Sequence, residues 1–181
     1  VKRVTLFAGH YGSGKTNIAV NYALMMKKQG KDVIIADLDI VNPYFRTKDS
    51  ENELSAAGIE LISSRFANTN LDIPSIPQEM YRIVHDKSKY AVMDIGGDDA
   101  GAIALGRFAP MIIEENNYDM VFVVNFYRPL SRSAEDAYEI MKEIEGASKL
   151  KFTSIVNNSN LGESTTAEDV LSTEKETEKL S

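Results

Sequence analysis

The chain has 181 residues, 43% of them hydrophobic, enough for one sizeable core in a single domain. Twenty-seven acidic against 20 basic residues leave a net charge of -7, which opposes a nucleic-acid partner or an anionic membrane surface. The chain has no cysteine, and so no disulfide, thiolate zinc or iron–sulfur ligation. Its 2 separated histidines are too few for a histidine-rich metal site, and the sequence shows no apolar membrane span and no signal peptide, so the reading is a cytoplasmic protein.

Val1 to Ala8 is a short apolar run rich in β-formers, and it leads straight into Gly9-His10-Tyr11-Gly12-Ser13-Gly14-Lys15-Thr16. Ile18, Tyr22, Met25 and Met26 then recur at helical spacing, predicting a helix over Asn17 to Gln29 that Gly30 ends. Val33 to Ala36 is a second strand, closing on Asp37-Leu38-Asp39 before a loop with Pro43. A short helix over Ser50 to Ala57, a strand near Ile59 to Ile62 and a long polar loop from 63 to 75 follow. Ser75 caps a predicted helix from Ile76 to about Asp86, with Pro77 in its first turn.

Tyr90 to Gly97 gives a strand that ends on an aspartate and glycines, and a helix across Ala100 to Glu115 carries Pro110 as a possible bend. Met120 to Asn125 is a continuous apolar strand. Ser131 or Ser133 caps a helix to Glu145, and Phe152 to Val156 is the last strand. Thr165 to Glu168 has capping-box spacing, and the chain finishes in a polar helix. Apolar strands alternating with helices predict an α/β fold, a three-layer Rossmann-like domain with a mostly parallel sheet. The terminal helix has no strand after it, which reads either as a chain cut short or as one without a closing edge strand.

Gly9 to Thr16 matches G-x-x-x-x-G-K-[ST], and the strand before it and helix after it are the context a phosphate-binding loop requires. Its glycines let the backbone turn tightly and aim N–H groups at phosphates, and the helix start adds a positive dipole end. The expected nucleotide contacts are Gly9, Gly12, Ser13, Gly14, Lys15, Thr16 and Asn17, with Lys15 reaching the β and γ phosphates and the Thr16 hydroxyl binding Mg2+. Asp94, at a strand's C-terminal end, is a candidate second Mg2+ ligand. Asp94-Ile95-Gly96-Gly97 also fits D-x-x-G, in which the Gly97 amide would sense a γ-phosphate. Asp98 and Asp99 read as a solvated turn. Asp37 and Asp39 share one face if their strand persists, one serving Mg2+ and the other orienting the attacking water.

"GHYGSGKT", "ADLDIVNP" and "VMDIGGDD", in that order, resemble the SIMIBI class of P-loop NTPases. The nearest likeness is to the branch holding MinD, ParA, nitrogenase iron protein-like and cobyrinate-synthase-like ATPases, and it spans nearly the whole chain. It implies a Rossmann-like sheet, ATP with Mg2+ and a nucleotide-dependent homodimer. It further implies that Asp39 positions the hydrolytic water, which leaves Asp37 as the metal candidate, and that Asn157 contacts the adenine edge. His10 stands where many members carry a signature lysine that reaches across the dimer, so Arg46, Lys48, Arg128 or Arg132 would have to supply that charge. The missing cysteines remove the cluster- and metal-carrying sub-functions.

The segments 42–47 and 125–133 each put Tyr, Arg and Pro on a loop at the strand ends, either as a second binding surface or as packing aromatics with solvated arginines. Asn157 is followed by Asn158, so no N-K-x-D guanine box is present. The first functional expectation is an ATPase switch acting on an unidentified protein partner. An ATP-dependent small-molecule transferase or ligase of the dethiobiotin- or cobyrinate-synthase type, and a non-hydrolysing nucleotide-binding scaffold, are the alternatives.

Overall fold

The computed structural model describes residues 1–38, 47–63, 78–97 and 99–181, and at 47–49 and 99 the backbone alone. In chain order the elements are β1 (Val4–Ala8), α1 (Lys15–Lys28), β2 (Val33–Leu38), α2 (Thr47–Ala56) and β3 (Glu60–Ser63). A 3₁₀ turn (Gln78–Tyr81) runs into α3 (Arg82–His85), followed by β4 (Tyr90–Ile95), α4 (Asp99–Gly106), α5 (Ala109–Glu115), β5 (Tyr118–Val124), α6 (Ala134–Ser148) and β6 (Ser154–Asn157). Another 3₁₀ turn (Gly162–Ser164), α7 (Ala167–Ser172) and α8 (Glu174–Leu180) complete the chain.

The strands form one all-parallel sheet in the order β3-β2-β4-β1-β5-β6. Every residue of β1 and β2 is buried, because helices cover both faces. Side chains alternate between those faces. Leu6, Ala36, Met93 and Ile95 pack with Leu105, Phe108 and Ile112 of the α4–α5 side. Phe7, Ile35, Val92 and Val123 point the other way, onto Ala19, Ala23 and Met26 of α1. Phe122 and Val124 meet Ala137 of α6 and Leu180 of α8. The expected three-layer α/β domain is therefore present, with the sheet wholly rather than mostly parallel.

Several boundaries differ from expectation for identifiable reasons. The helix foreseen over Ala100 to Glu115 is two helices, and Pro110 does not bend it. The chain breaks at Arg107 and Phe108, and Pro110 lies in the first turn of α5, where its missing N–H has no intrahelical role. The last strand starts later than Phe152, whose ring instead meets Phe122 edge-on at 5.1 Å. The capping box joins Thr166 to Asp169, while Thr165 Oγ1 accepts from Leu161 N–H and donates to the Gly162 carbonyl. Of the two candidate serines, Ser133 caps α6, and Ser131 donates to the Asn125 carbonyl. At the end of α1, Gly30 N–H donates to Lys27 O at 2.9 Å and Lys31 N–H to Met26 O at 3.1 Å, the paired bonds of a Schellman motif. Ser75, Ile76, Pro77 and the expected loop beyond Ser63 lie outside the described residues.

At the N-terminal edge of the sheet, the buried Arg3 guanidinium pairs with Glu115 of α5 and donates to the carbonyls of Ile83 and Lys89. That one side chain ties β1 to α3, α5 and the turn before β4.

Candidate functional site

The segment 9–14 bridges the end of β1 and the start of α1. Gly14 is the N-cap of α1 and sits in the left-handed region, φ 89°, which a residue with a Cβ adopts only under strain. No side chain caps this helix and its first turn holds no acid, so its leading N–H groups and dipole keep their attraction for an anion. Lys15 is buried, and its Nζ donates to the His10 carbonyl at 3.2 Å. Ser13 is 2% exposed, and its Oγ has no hydrogen-bond partner among the described residues. Thr16 is half-buried beside it, whereas Asn17 is exposed and its carbonyl accepts from Asn21.

Gly97 closes on this loop. A Cβ added there would lie 2.6 Å from Tyr11 N and 3.0 Å from Lys15 Nζ, so the backbone approach requires glycine. The D-x-x-G segment thus lies against the loop.

β2 ends at Leu38, and Asp39, the other half of the expected Asp37–Asp39 pair, lies outside the described residues. Asp37 is in register with Asp94 on the neighbouring strand, and Asp94 with Phe7 on β1. Period-two alternation puts Asp37 with Val33 and Ile35, and Asp94 with Val92, on the face that α1 covers. Both are buried, at 7% and 5% exposure. Two buried carboxylates side by side call for positive charge between or above them. Their donors are all oxygens, which suits Mg2+ bound through few protein ligands. Among the described residues no group of three or more His, Asp or Glu could hold a metal unaided.

The opposite flank of the loop is built from the ends of β5 and β6. Arg128 Nε donates to the Gly12 carbonyl at 3.0 Å, and Asn158 Nδ2 to the Ser13 carbonyl at 2.8 Å. Asn157, the expected adenine contact, is the last residue of β6 and faces the other side of the sheet. Its Nδ2 donates to Thr173 Oγ1 at 2.8 Å and its Oδ1 accepts from Ser159 N–H. Neither clamp was assigned from sequence; the available signal was that Arg128 and Asn158 each follow an apolar strand. Of the 125–133 loop, Arg128 is held by the Gly12 carbonyl, and Tyr127 donates its hydroxyl proton to the Asp169 carbonyl. His10 is half-buried, its Nδ1 3.1 Å from the Tyr11 carbonyl. Arg132 is exposed, and Arg46, Asp98 and the side chains of Lys48 and Asp99 lie outside the described residues.

No protein-family model matches the sequence, and no curated protein matches it. Solved structures do resemble the fold. The kinase domain of Escherichia coli tyrosine kinase ETK aligns with a TM-score of 0.60 at 16% identity, over 90% of this chain and 70% of that one. Cell division protein FtsY from Thermotoga maritima gives 0.59 at 17% identity, over 84% of this chain and 51% of that one. Signal recognition particle receptor FtsY from Elizabethkingia anophelis gives 0.51 at 15% identity, over 84% and 48%. This chain spans about half the length of the FtsY structures. At these identities the likeness establishes the fold alone, an α/β domain with helices around a parallel sheet. Among the described residues no helix is long and apolar enough to cross a membrane.

Proposed function

We propose that this chain binds Mg·ATP at the loop from Gly9 to Thr16 and uses its hydrolysis as a conformational switch. The observation that carries the reading is the contact of Gly97 with Tyr11 and Lys15, because it sets a D-x-x-G segment where a γ-phosphate would part it from the loop or hold it there. The loop amides and the start of α1 cradle the phosphates, and Lys15 supplies a cation on the same side. Thr16, Asp37 and Asp94 would hold Mg2+, the aspartates through water. Bound there, Mg2+ neutralises charge on the phosphate oxygens. Asp39 orients the attacking water, and Asn157 gives the adenine contact once its bond to Thr173 opens. The protein works in the cytoplasm as a nucleotide-dependent homodimer read by a protein partner, and its net charge of -7 disfavours nucleic acid and membrane.

His10 favours a second reading. At the position where a signature lysine would reach a dimer partner, a half-buried histidine sits on the neighbouring carbonyl. A chain without that lysine suits an ATP-dependent transferase or ligase that activates a small carboxylate. Phosphate release from Mg·ATP and, separately, Mg·GTP, over a range of protein concentrations, tests the readings. Release from ATP whose rate per molecule rises with concentration supports the dimeric switch. Release that needs an added carboxylate or amine supports the ligase, and nucleotide bound without release supports a scaffold.

A further inference from the structure

The outer wall of the loop is made by two side chains, Arg128 and Asn158, that hold its backbone carbonyls. Arg128 holds the carbonyl of Gly12 and Asn158 holds the carbonyl of Ser13, which belong to successive peptide units. A trans peptide points its C=O and N–H in opposite directions. Holding one carbonyl outward therefore sets the direction of the next N–H. The Gly12 carbonyl sets the Ser13 N–H, which closes a turn onto His10 O at 3.2 Å, the oxygen that also receives Lys15 Nζ. The Ser13 carbonyl sets the Gly14 N–H, at the mouth of α1, where helix geometry offers no acceptor.

Both held peptides adjoin left-handed glycines, Gly12 at φ 78° and Gly14 at φ 89°. A Cβ on Gly12 would lie 3.3 Å from Arg128 Nε, and one on Gly14 would run into Asn158 Nδ2. Peptides next to glycine flip easily, so an external hold has a motion to prevent. The holding residues are themselves fixed. Asn125 is 0% exposed, and its Oδ1 accepts from Tyr127 N–H and Asn160 N–H, tying the turn that carries Arg128 to the one that carries Asn158.

We infer that Arg128 and Asn158 are positioning residues that set the phosphate loop in its binding conformation before a nucleotide arrives. The ligand in this inference rests on the function proposed above, whereas the geometry does not. Preorganised amides bind without a reorganisation cost. Because the loop amides cradle the α and β phosphates, losing a clamp weakens ATP and ADP alike. A group that touched the γ-phosphate would weaken ATP alone.

The test uses the full chain with Asn158→Ala, Asn158→Asp, Arg128→Ala and Arg128→Gln. Hydrogen exchange of the amides at 12–16 is measured without nucleotide, and Mg·ATP and Mg·ADP affinities by calorimetry. Asn158→Ala is expected to speed loop exchange several-fold and to weaken both nucleotides about 3- to 10-fold, the worth of one hydrogen bond. Asn158→Asp keeps the shape, loses the donor and should do the same, which covers the case in which truncation disturbs folding. Glutamine carries its amide nitrogen as many bonds from Cα as arginine carries Nε, so Arg128→Gln should recover most of what Arg128→Ala loses. Unchanged loop exchange in these variants, loss confined to ATP, or Arg128→Gln no better than Arg128→Ala would each overturn the inference. A wild-type chain that binds neither nucleotide sinks the proposed function, and loop exchange then still decides the clamp.

Discussion

Asp37 on β2 and Asp94 on β4 stand in register on adjacent strands, both buried and both facing the helix that follows the phosphate-type loop. Parallel strands lie about 4.8 Å apart. The two carboxylates are thus near enough to share one cation.

This arrangement predicts that Asp94→Asn weakens Mg2+ binding in the presence of ATP by about 10- to 100-fold, the usual effect of losing an outer ligand. Nucleotide binding in EDTA should change less than about twofold, since loop amides do not depend on that carboxylate. Titration of Mg2+ into the protein–ATP mixture reads the first, and binding of a fluorescent ATP analogue in EDTA reads the second. Equal Mg2+ affinity in the two proteins would remove Asp94 from the metal site.

Gly97→Ala should separate binding from turnover. The new methyl would meet Tyr11 N at 2.6 Å, so the segment after Asp94 must move off the loop. Phosphate release should fall at least about tenfold, as misplacement near the reacting group does, while ADP affinity stays near wild type. Wild-type turnover in this variant would show that the contact has no part in hydrolysis.

Lys15→Ala should abolish nucleotide binding, and Asp39→Ala should keep binding and lose turnover. Calorimetry and phosphate release on the same preparations check both. Hydrolysis at the wild-type rate by Asp39→Ala would remove the role assigned to that residue.

Stability should depend on pH through Glu115. The hydrogen bond from Arg3, opposed by burial, holds the Glu115 carboxyl below the usual glutamate range. A carboxyl depressed in the folded state binds fewer protons there than in the unfolded chain. Its contribution is therefore present above the unfolded value, about 4.3, and is lost as pH falls through the folded one. Glu115→Gln leaves the Arg3 charge buried, and breaking such a pair costs about 3–5 kcal/mol; the retained amide oxygen should bring the loss to the lower end. Urea unfolding at pH 7 and at steps below pH 5 should show the two proteins converging in acid. A stability gap that stays constant with pH would mean the ion pair is not the cause.

The loop from Gly9 to Thr16, the Gly30 helix end and a serine cap for α6, either Ser131 or Ser133, were legible because each depends on neighbours a few residues away. Asp37 and Asp94 were each candidates from sequence, but their register on adjacent strands was not legible, since strand order is decided by crossovers spanning tens of residues. Phe152 was placed in a strand by its β propensity, but its ring is drawn onto Phe122. Asn158 was overlooked because an asparagine after a strand reads as a turn residue, and only the face of β6 shows which of two asparagines meets the loop.

Asn157 and Asn158 are neighbours that serve opposite sides of the sheet, one bonded to Thr173 and the other to Ser13. Inserting or deleting a single residue in β6 would exchange them, because a one-residue slip turns every side chain of a strand over. Both would still be asparagines, so the composition of the stretch would look unharmed while each amide addressed the wrong neighbour. Related chains should therefore vary in which residues occupy β6 far more readily than in how many.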